Sequence, residues 1–186
     1  MVARQVLGHA DEASSDFEGE LIGDYLVLTQ LGEGAQGTTF LVRSKTTNQI
    51  CALKRMHLDS AEDWKAIELF ERESKVLSNL SHASIPKFVE FFETEDDGLQ
   101  LNLVQEFIPG ADLRIRLERG ELFTSEQIEE ILNELLDIFD YIHGHSPPVV
   151  HRDVKPSNII LTDDDRVVLV DFGAVQFRTG RGTTVV

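Results

Sequence analysis

The run VVHRDVKPSNIIL at residues 149–161, followed by VVLVDFG at residues 167–173, decides the fold of this 186-residue chain. Short apolar segments bounded by polar turns predict buried strands, and three such segments occur here. The polar residues between them then lie at strand ends and in one loop, on the same side of a small sheet. They are Asp153, Lys155, Asn158 and Asp171. Two acids and an amide in this arrangement can hold Mg²⁺ through oxygen ligands, and Asp153 is also free to accept a proton.

The composition narrows the classes of protein to which the chain can belong. Its hydrophobic content of 41% and charged content of 27% are those of an ordinary globular protein. A net charge of −16 argues against binding to nucleic acid or to an anionic membrane. Cys51 is the only cysteine, which fits a reducing compartment. With no apolar run long enough to span a bilayer and no secretion leader, we expect a cytoplasmic protein with no membrane partner.

A glycine-rich hairpin is predicted near the start of the chain. The run YLVLTQL at residues 25–31 predicts a strand, GEGAQG at residues 32–37 follows at once, and residues 38–42 predict a second strand. Glycines let a backbone approach phosphate groups closely, because no side chain stands in the way. The dinucleotide-binding form of this motif requires a helix directly after it. A strand follows here instead, which favours a strand–loop–strand phosphate site. The glycine-rich loop alone is also compatible with an ordinary hairpin.

The next segments add strands and two helices. Residues 50–54 predict a strand that ends in Lys54, and residues 85–92 and 99–107 predict two more strands. Residues 63–79 predict a helix, because apolar residues recur there at three- and four-residue steps. A second helix is expected to begin at a capping box formed by Thr124 and Gln127. Its apolar stripe is predicted to be core, and it comprises Ile128, Ile131, Leu132, Leu135, Leu136, Phe139 and Ile142.

These motifs resemble the eukaryotic-type Ser/Thr protein kinase family in a bacterial-like form. HRD at residues 151–153, continuing to Asn158, is similar to the catalytic loop of that family, and residues 171–173 are similar to its metal-binding triplet. The resemblance implies an α+β, protein-kinase-like fold with a complete N-lobe, made of a five-stranded antiparallel sheet and the αC helix, and an incomplete C-lobe. The expected division is an acidic flexible extension at 1–23, the N-lobe at 24–107, and the hinge with a partial C-lobe at 108–186.

The resemblance also implies a reaction and its catalytic residues. The γ-phosphoryl group of ATP would be transferred to a Ser or Thr hydroxyl of a protein substrate, with Mg²⁺ as cofactor. Asp153 would orient the hydroxyl and accept its proton, and Lys155 would stabilise the transferring phosphate. Asn158 and Asp171 would hold the metal. Lys155, in the context DVKPSN, resembles Ser/Thr rather than Tyr kinases.

For ATP, the resemblance implies that Lys54 contacts the α- and β-phosphates and that Glu73 pairs with it. Glu68 and Glu71 are the alternative partners, and all three acids can equally be solvated. Residues 105–110 resemble the hinge that connects the two lobes. The backbone of Glu106 and Ile108 would hydrogen-bond adenine there. The implied ATP-binding set is Leu31, Gly32, Glu33, Gly34, Ala35, Gln36, Gly37, Thr39, Ala52, Lys54, Glu73, Gln105, Glu106, Ile108 and Ile160. Gln105 would be the gatekeeper, and its polar side chain is unusual in the family. Thr39 occupies the position at which the family has an apolar residue over adenine.

The last residues resemble the start of an activation segment that is cut short. Residues 174–186 are polar and glycine-rich and contain Thr179, Thr183 and Thr184, but no A-P-E triplet follows them. A competing hypothesis is therefore a non-catalytic, pseudokinase-like module that binds nucleotide and docks to a partner. We also expect the helix at residues 128–142 to keep an uncovered apolar face, with Ile138 and Tyr141 beside the main row, and to self-associate through it.

Overall fold

The computed structural model describes residues 19–34, 37–58, 64–95 and 98–177. The helices among them are α1 (Trp64–Leu77), α2 (Leu113–Glu118) and α3 (Ser125–His143), with a 3₁₀ turn at Pro156–Asn158. The strands are β1 (Leu21–Ile22), β2 (Tyr25–Gly34), β3 (Gly37–Ser44), β4 (Ile50–His57), β5 (Phe88–Thr94), β6 (Gln100–Glu106), β7 (Gly110–Asp112), β8 (Val149–Val150), β9 (Ile159–Thr162), β10 (Val167–Leu169) and β11 (Gln176–Phe177). No helix in these ranges is both long and apolar enough to cross a membrane.

The first lobe is built on one antiparallel sheet with strand order β1-β2-β3-β4-β6-β5. It has six strands rather than the expected five, because Leu21–Ile22 folds back onto the start of β2. Leu21 and Ile22, which we assigned to a flexible extension, therefore belong to the sheet. The Ile22 side chain is 2% exposed, and the Glu20 carboxylate accepts a hydrogen bond from Arg55 at 2.7 Å. The rest of the expected extension, residues 1–18, lies outside the described residues.

Alternation along β4 separates the two faces of this sheet. Successive side chains of a strand point to opposite faces, so Lys54 and Leu53 lie on different sides. Leu53 is buried in an apolar cluster with Phe40 and Val104. Lys54 faces the other side of the sheet, where it meets Glu73 from α1. The strand register therefore directs the lysine toward the second lobe.

The second lobe is organised by α3, whose predicted capping box is present. The Gln127 amide N–H donates to the Thr124 hydroxyl at 3.3 Å, and the Thr124 amide N–H donates to the Gln127 side chain at 2.9 Å. Reciprocal bonds of this kind satisfy amides that have no partner within the helix. The helix thus begins at Ser125, three residues before Ile128, which is the first apolar residue of the predicted stripe.

The apolar stripe of α3 is only partly core, which corrects the assignment of the whole stripe to the core and agrees with the expected uncovered apolar face. Its buried residues are Leu135, Ile138 and Ile142. Ile128, Leu132 and Leu136 are 48%, 53% and 61% exposed. Ile138, expected beside the main row, is fully buried, and Tyr141 is half-buried, with its hydroxyl accepting the Ser81 amide hydrogen at 2.7 Å. The stripe predicted the helix correctly, but periodicity cannot say which part of a wide apolar surface has a partner.

One apolar cluster crosses the boundary between the lobes. It contains Leu77 of α1 and Leu103 of β6, together with Ile138 of α3, Leu169 of β10 and Phe172. The Leu169 amide N–H also donates to the Ser84 carbonyl at 3.0 Å. Helix α1 therefore packs against residues of both lobes, and this fixes how deeply Glu73 reaches into the gap between them.

The capping box generates a prediction about stability. We expect Thr124→Ala to lower the free energy of unfolding by about 1 kcal/mol, because the first turn of α3 loses a side-chain acceptor. Urea unfolding followed by circular dichroism measures the change. Ser125→Ala, one residue along, is the matched control, since the Ser125 side chain makes no capping bond. Equal stability of the two variants would contradict the contribution assigned to the cap.

Candidate active site

A cavity of about 650 Å³ lies between the two lobes. It is lined by the glycine-rich hairpin, the inner face of β4, the hinge residues and the loop after β8. Every site residue predicted from the sequence lines it, apart from Ala35 and Gln36, which lie outside the described residues. The cavity also has lining residues that the sequence analysis did not select, and these are Pro86, Phe107, Asp112, Arg114, Ser157 and Val170.

The hairpin over the cavity depends on glycine at its turn. Strands β2 and β3 stay paired as far as Gly34 opposite Gly37. Gly37 has φ of 113°, and a Cβ placed there would lie 2.1 Å from the carbonyl oxygen of Arg55. Both the backbone angle and the lack of space therefore require glycine. At Gly32 and Gly34 a Cβ would meet nothing within 4 Å, so those two glycines leave the cavity side of the hairpin open.

Lys54 connects the two lobes through two carboxylates. Its ammonium nitrogen lies 2.9 Å from Glu73 Oε2 and 3.0 Å from Asp171 Oδ1. Among the three acids considered for this role, the structure brings Glu73 to the lysine. Glu68 and Glu71 instead pair with Arg72 and Lys75 on the outer side of α1.

Burial and charge act against each other in this cluster. Burial acts to lower the pKa of Lys54, but the carboxylates of Glu73 and Asp171 outweigh it, and the pKa is raised. Burial raises the pKa of Glu73, while the Lys54 ammonium opposes that rise. Lys54 is therefore protonated at neutral pH, and its positive charge is held at the cavity wall.

A second charged cluster lies in the loop after β8. Asp153 Oδ2 accepts hydrogen bonds from the Lys155 ammonium at 2.6 Å and from the Asn158 amide nitrogen at 3.1 Å. The same amide nitrogen donates to the Asp153 carbonyl at 2.9 Å. The hydrogen bond from Lys155 is the main cause of the lowered pKa of Asp153. Asp153 is consequently a carboxylate across the neutral range and can accept a proton.

A buried histidine, His151, holds the loop after β8 in position. His151 is 2% exposed, and its ring lies edge-on to Phe172 with the centroids 4.8 Å apart. Its Nδ1 accepts the Asp153 amide hydrogen at 3.4 Å, which leaves Nε2 to donate to the Val170 carbonyl at 3.3 Å. Burial lowers the pKa of His151, so the neutral ring holds this arrangement. The sequence contains this histidine in its HRD run, but its supporting role emerged only from the fold.

Two residues beside these clusters adopt a left-handed backbone. Arg152 has φ of 69° and Asp171 has φ of 63°. Few non-glycine residues adopt such angles, and strained positions of this kind concentrate at functional sites. Arg152 directly precedes Asp153, and Asp171 itself carries one of the carboxylates that pair with Lys54.

The oxygen atoms facing the cavity suit Mg²⁺. The amide nitrogen of Asn158 donates to the Asp153 carbonyl at 2.9 Å, while its amide oxygen accepts only a long hydrogen bond, 3.5 Å, from the Ser157 hydroxyl. Asp171 Oδ1 accepts from Lys54, which leaves Oδ2 as the second oxygen that a metal could use. Groups of three or more His, Cys, Asp or Glu suited to a metal are absent from the described residues. A metal at this position would thus have one amide and one carboxylate ligand from the protein. This set fits Mg²⁺, which commonly takes one or two carboxylates and completes its shell with phosphate and water oxygens.

Comparison with known proteins identifies the family. Residues 25–186 match the model of the protein kinase domain. The chain belongs to the protein kinase family. Its relatives include serine/threonine-protein kinase B of Synechocystis sp., with 37% identity over 84% of this chain and 28% of the relative. Serine/threonine-protein kinase D of the same organism is 35% identical over 88% of this chain and 32% of its own length. Aurora kinase of Schizosaccharomyces pombe is 32% identical over 88% of this chain and 45% of its own length. The kinase described here therefore spans less than half the length of these relatives.

The mouth of the kinase cavity contains an ion pair that the sequence analysis missed. Asp112 caps α2 by accepting the Ile115 amide hydrogen at 2.8 Å, and its carboxylate lies 3.9 Å from Arg114. Arg114 also donates to Glu118 at 3.1 Å. The N-cap pattern of an Asp before a helix was available as a signal in the sequence. No sequence signal placed Asp112 near the cavity, since its position there depends on how β7 pairs with β9.

The lowered pKa of Asp153 generates a prediction. We expect Lys155→Ala to raise the pKa of Asp153 toward that of an ordinary aspartate, because the carboxylate loses its main hydrogen-bond donor. A folded-state pKa below the ordinary value keeps Asp153 ionised to lower pH, so removal of Lys155 shifts its titration upward. A carbon-detected NMR titration of the Asp153 carboxyl measures the shift. Lys75→Ala, in an exposed pair on α1, is the control, and an equal effect from both variants would contradict the assignment.

Proposed function

We propose that the protein transfers the γ-phosphoryl group of ATP to a Ser or Thr hydroxyl of a protein substrate. The observation that carries the proposal is the position of two charged clusters in one cavity. One consists of Lys54, Glu73 and Asp171, and the other of Asp153, Lys155 and Asn158. Phosphoryl transfer requires mainly positioning and charge stabilisation, which clusters of this kind supply.

The first cluster suits the nucleotide. The Lys54 ammonium, kept protonated by two carboxylates, is a suitable partner for the α- and β-phosphates. The glycine-rich hairpin brings backbone rather than side chains to the space above them. The Glu106 amide N–H donates to the Lys87 carbonyl at 2.8 Å, whereas no hydrogen bond within the described residues engages the Ile108 amide. That amide N–H is therefore available to donate to a base.

The second cluster suits the accepting hydroxyl. Asp153 is ionised, 37% exposed at its side chain and held by two donors, so it can orient a Ser or Thr hydroxyl and accept its proton. Lys155 is 48% exposed and 2.6 Å from that carboxylate. From this position it can turn toward the phosphoryl group and stabilise the added charge. Mg²⁺ held by Asn158 and Asp171 would neutralise charge on the phosphates.

We further propose that the protein acts in the cytoplasm and on proteins rather than on nucleic acid. A net charge of −16 disfavours phosphate-rich polymers as partners. The alternative function is a module that binds nucleotide without transferring phosphate and acts by docking. The exposed apolar row at Ile128, Leu132 and Leu136 favours a docking role.

Loss of the proton acceptor separates these functions. We expect Asp153→Asn to lower the rate of phosphoryl transfer by roughly 10²- to 10⁴-fold and to leave the affinity for Mg·ATP nearly unchanged, because a general base is lost but the nucleotide contacts remain. Transfer of labelled phosphate to a basic protein substrate measures the rate, and isothermal titration calorimetry measures affinity.

Asp137→Asn, on the exposed side of α3, is the matched control for this variant. A loss of Mg·ATP affinity as large as the loss of rate would assign Asp153 a structural role. Binding of Mg·ATP by the unmodified chain without any transfer would favour the non-catalytic alternative.

We also propose that the apolar row on α3 mediates self-association. Three large apolar side chains at four-residue spacing form one exposed strip, and such strips commonly mark interfaces. Leu132→Lys places a charge at its centre, so we expect a shift toward monomer in analytical ultracentrifugation. Leu122→Lys changes a leucine that is 91% exposed and lies outside the helix, and it is the matched control. A chain that is already monomeric at high concentration would contradict the proposal.

A further inference from the structure

We propose that the side-chain amide of Gln105 recognises the N6/N7 edge of adenine and gives the site its preference for ATP over GTP. The inference rests on the proposed nucleotide site and adds a specificity determinant to it. Gln105 is the sixth residue of β6, and its Cα is paired with Ala52 of β4 and Phe88 of β5. The side chain is half-buried and lines the cavity near the hinge.

The amide group of Gln105 has no partner within the described residues. Polar groups that are taken out of water are normally hydrogen-bonded, and a glutamine amide offers one acceptor and two donors. Gln100 on the same strand shows the usual arrangement, because its side-chain oxygen lies 3.3 Å from the Thr94 hydroxyl. The Gln105 side chain, in contrast, is half-buried at the cavity wall, next to its strand partner Ala52.

Its neighbour in the hinge does not compete for the base. The Glu106 side chain accepts the Lys87 amide hydrogen at 3.2 Å, so that carboxylate already has a backbone partner. The free hinge amide belongs to Ile108, three residues after Gln105. A purine that places its N1 and N6 against the hinge backbone presents the adjacent N6/N7 edge toward the interior. Gln105, which directly precedes the hinge, is the polar side chain at that end.

The hydrogen-bonding pattern of adenine matches this amide. Adenine presents the N6 amino donor beside the N7 acceptor, and glutamine can bind both at once through its oxygen and its NH₂ group. Guanine presents two acceptors, O6 and N7, so only the NH₂ group of glutamine can bind there. The Gln105 amide therefore makes one more hydrogen bond to the base of ATP than it can make to the base of GTP. This preference is independent of contacts to the phosphates.

The test removes one partner at a time and measures binding alone. Affinities of Mg·ATP, Mg·GTP and Mg·7-deaza-ATP, in which N7 is replaced by carbon, are measured by calorimetry for the unmodified chain and for Gln105→Met. We expect the unmodified chain to bind ATP roughly 5- to 100-fold more tightly than 7-deaza-ATP, as for a bidentate contact to a base edge. Gln105→Met should bind the two equally, and its preference for ATP over GTP should fall by a similar factor. Gln30→Met, on β2 and outside the cavity lining, should behave as the unmodified chain.

Each outcome has a defined meaning. Equal affinity of the unmodified chain for ATP and 7-deaza-ATP, or the same discrimination by Gln105→Met, would overturn the role of Gln105 and leave the nucleotide site intact. Failure of every nucleotide to bind would overturn the proposed function itself. If Gln105→Met does not fold, Gln105→Glu serves instead, since a carboxylate accepts from N6 but cannot donate to N7, and it too should fail to discriminate against 7-deaza-ATP.

Discussion

The structure depends on placing one ammonium group between two carboxylates from distant parts of the chain. Lys54, Glu73 and Asp171 come from β4, from α1 and from the segment after β10, and the lysine is 19 and 117 residues away from its partners in sequence. Removing a charged amine from water is costly, and the cost is offset only when opposite charges lie within hydrogen-bonding distance. The sheet, the helix and the second lobe must therefore all be in place before this cluster is favourable. The cavity has its observed shape because these three elements meet at the lysine.

The loop that contains Asp153 is held in a different way, because neutral groups fix its backbone while Lys155 and Asn158 hold its carboxylate. The buried imidazole of His151 links the Asp153 amide to the Val170 carbonyl, and the Val170 amide in turn donates to the Asn158 carbonyl at 2.9 Å. These bonds join the loop after β8 to the segment after β10. The left-handed angles at Arg152 and Asp171 are tolerated because this network fixes the backbone on both sides. A carboxylate held in this way needs little reorganisation when a proton is transferred to it.

How much was predictable from the sequence depended on whether the signal was local. The short apolar runs and the spacing of HRD, Asn158 and the following Asp are local patterns, and they predicted most of the strands. The residues that line the cavity were expected from the resemblance to protein kinases that those motifs carry. The edge strand Leu21–Ile22 was missed because two residues carry no periodicity. The sequence indicated both a core stripe and an uncovered face on α3 but could not separate the two, because a helical pattern shows which residues are apolar, not which of them have a partner. The ion pair between Asp112 and Arg114 at the cavity mouth was missed because it depends on strand pairing across the second lobe.

Hydrogen bonds behind the Lys54 cluster tie the segment after α1 to the second lobe. The segment between α1 and β5 is tied to the second lobe by the Ser81 amide on the Tyr141 hydroxyl, at 2.7 Å, and by the Leu169 amide on the Ser84 carbonyl, at 3.0 Å. Because this segment directly follows α1, the helix that carries Glu73 is anchored to the second lobe as well as to the sheet. The geometry of the Lys54 cluster is for this reason a property of the junction between the lobes.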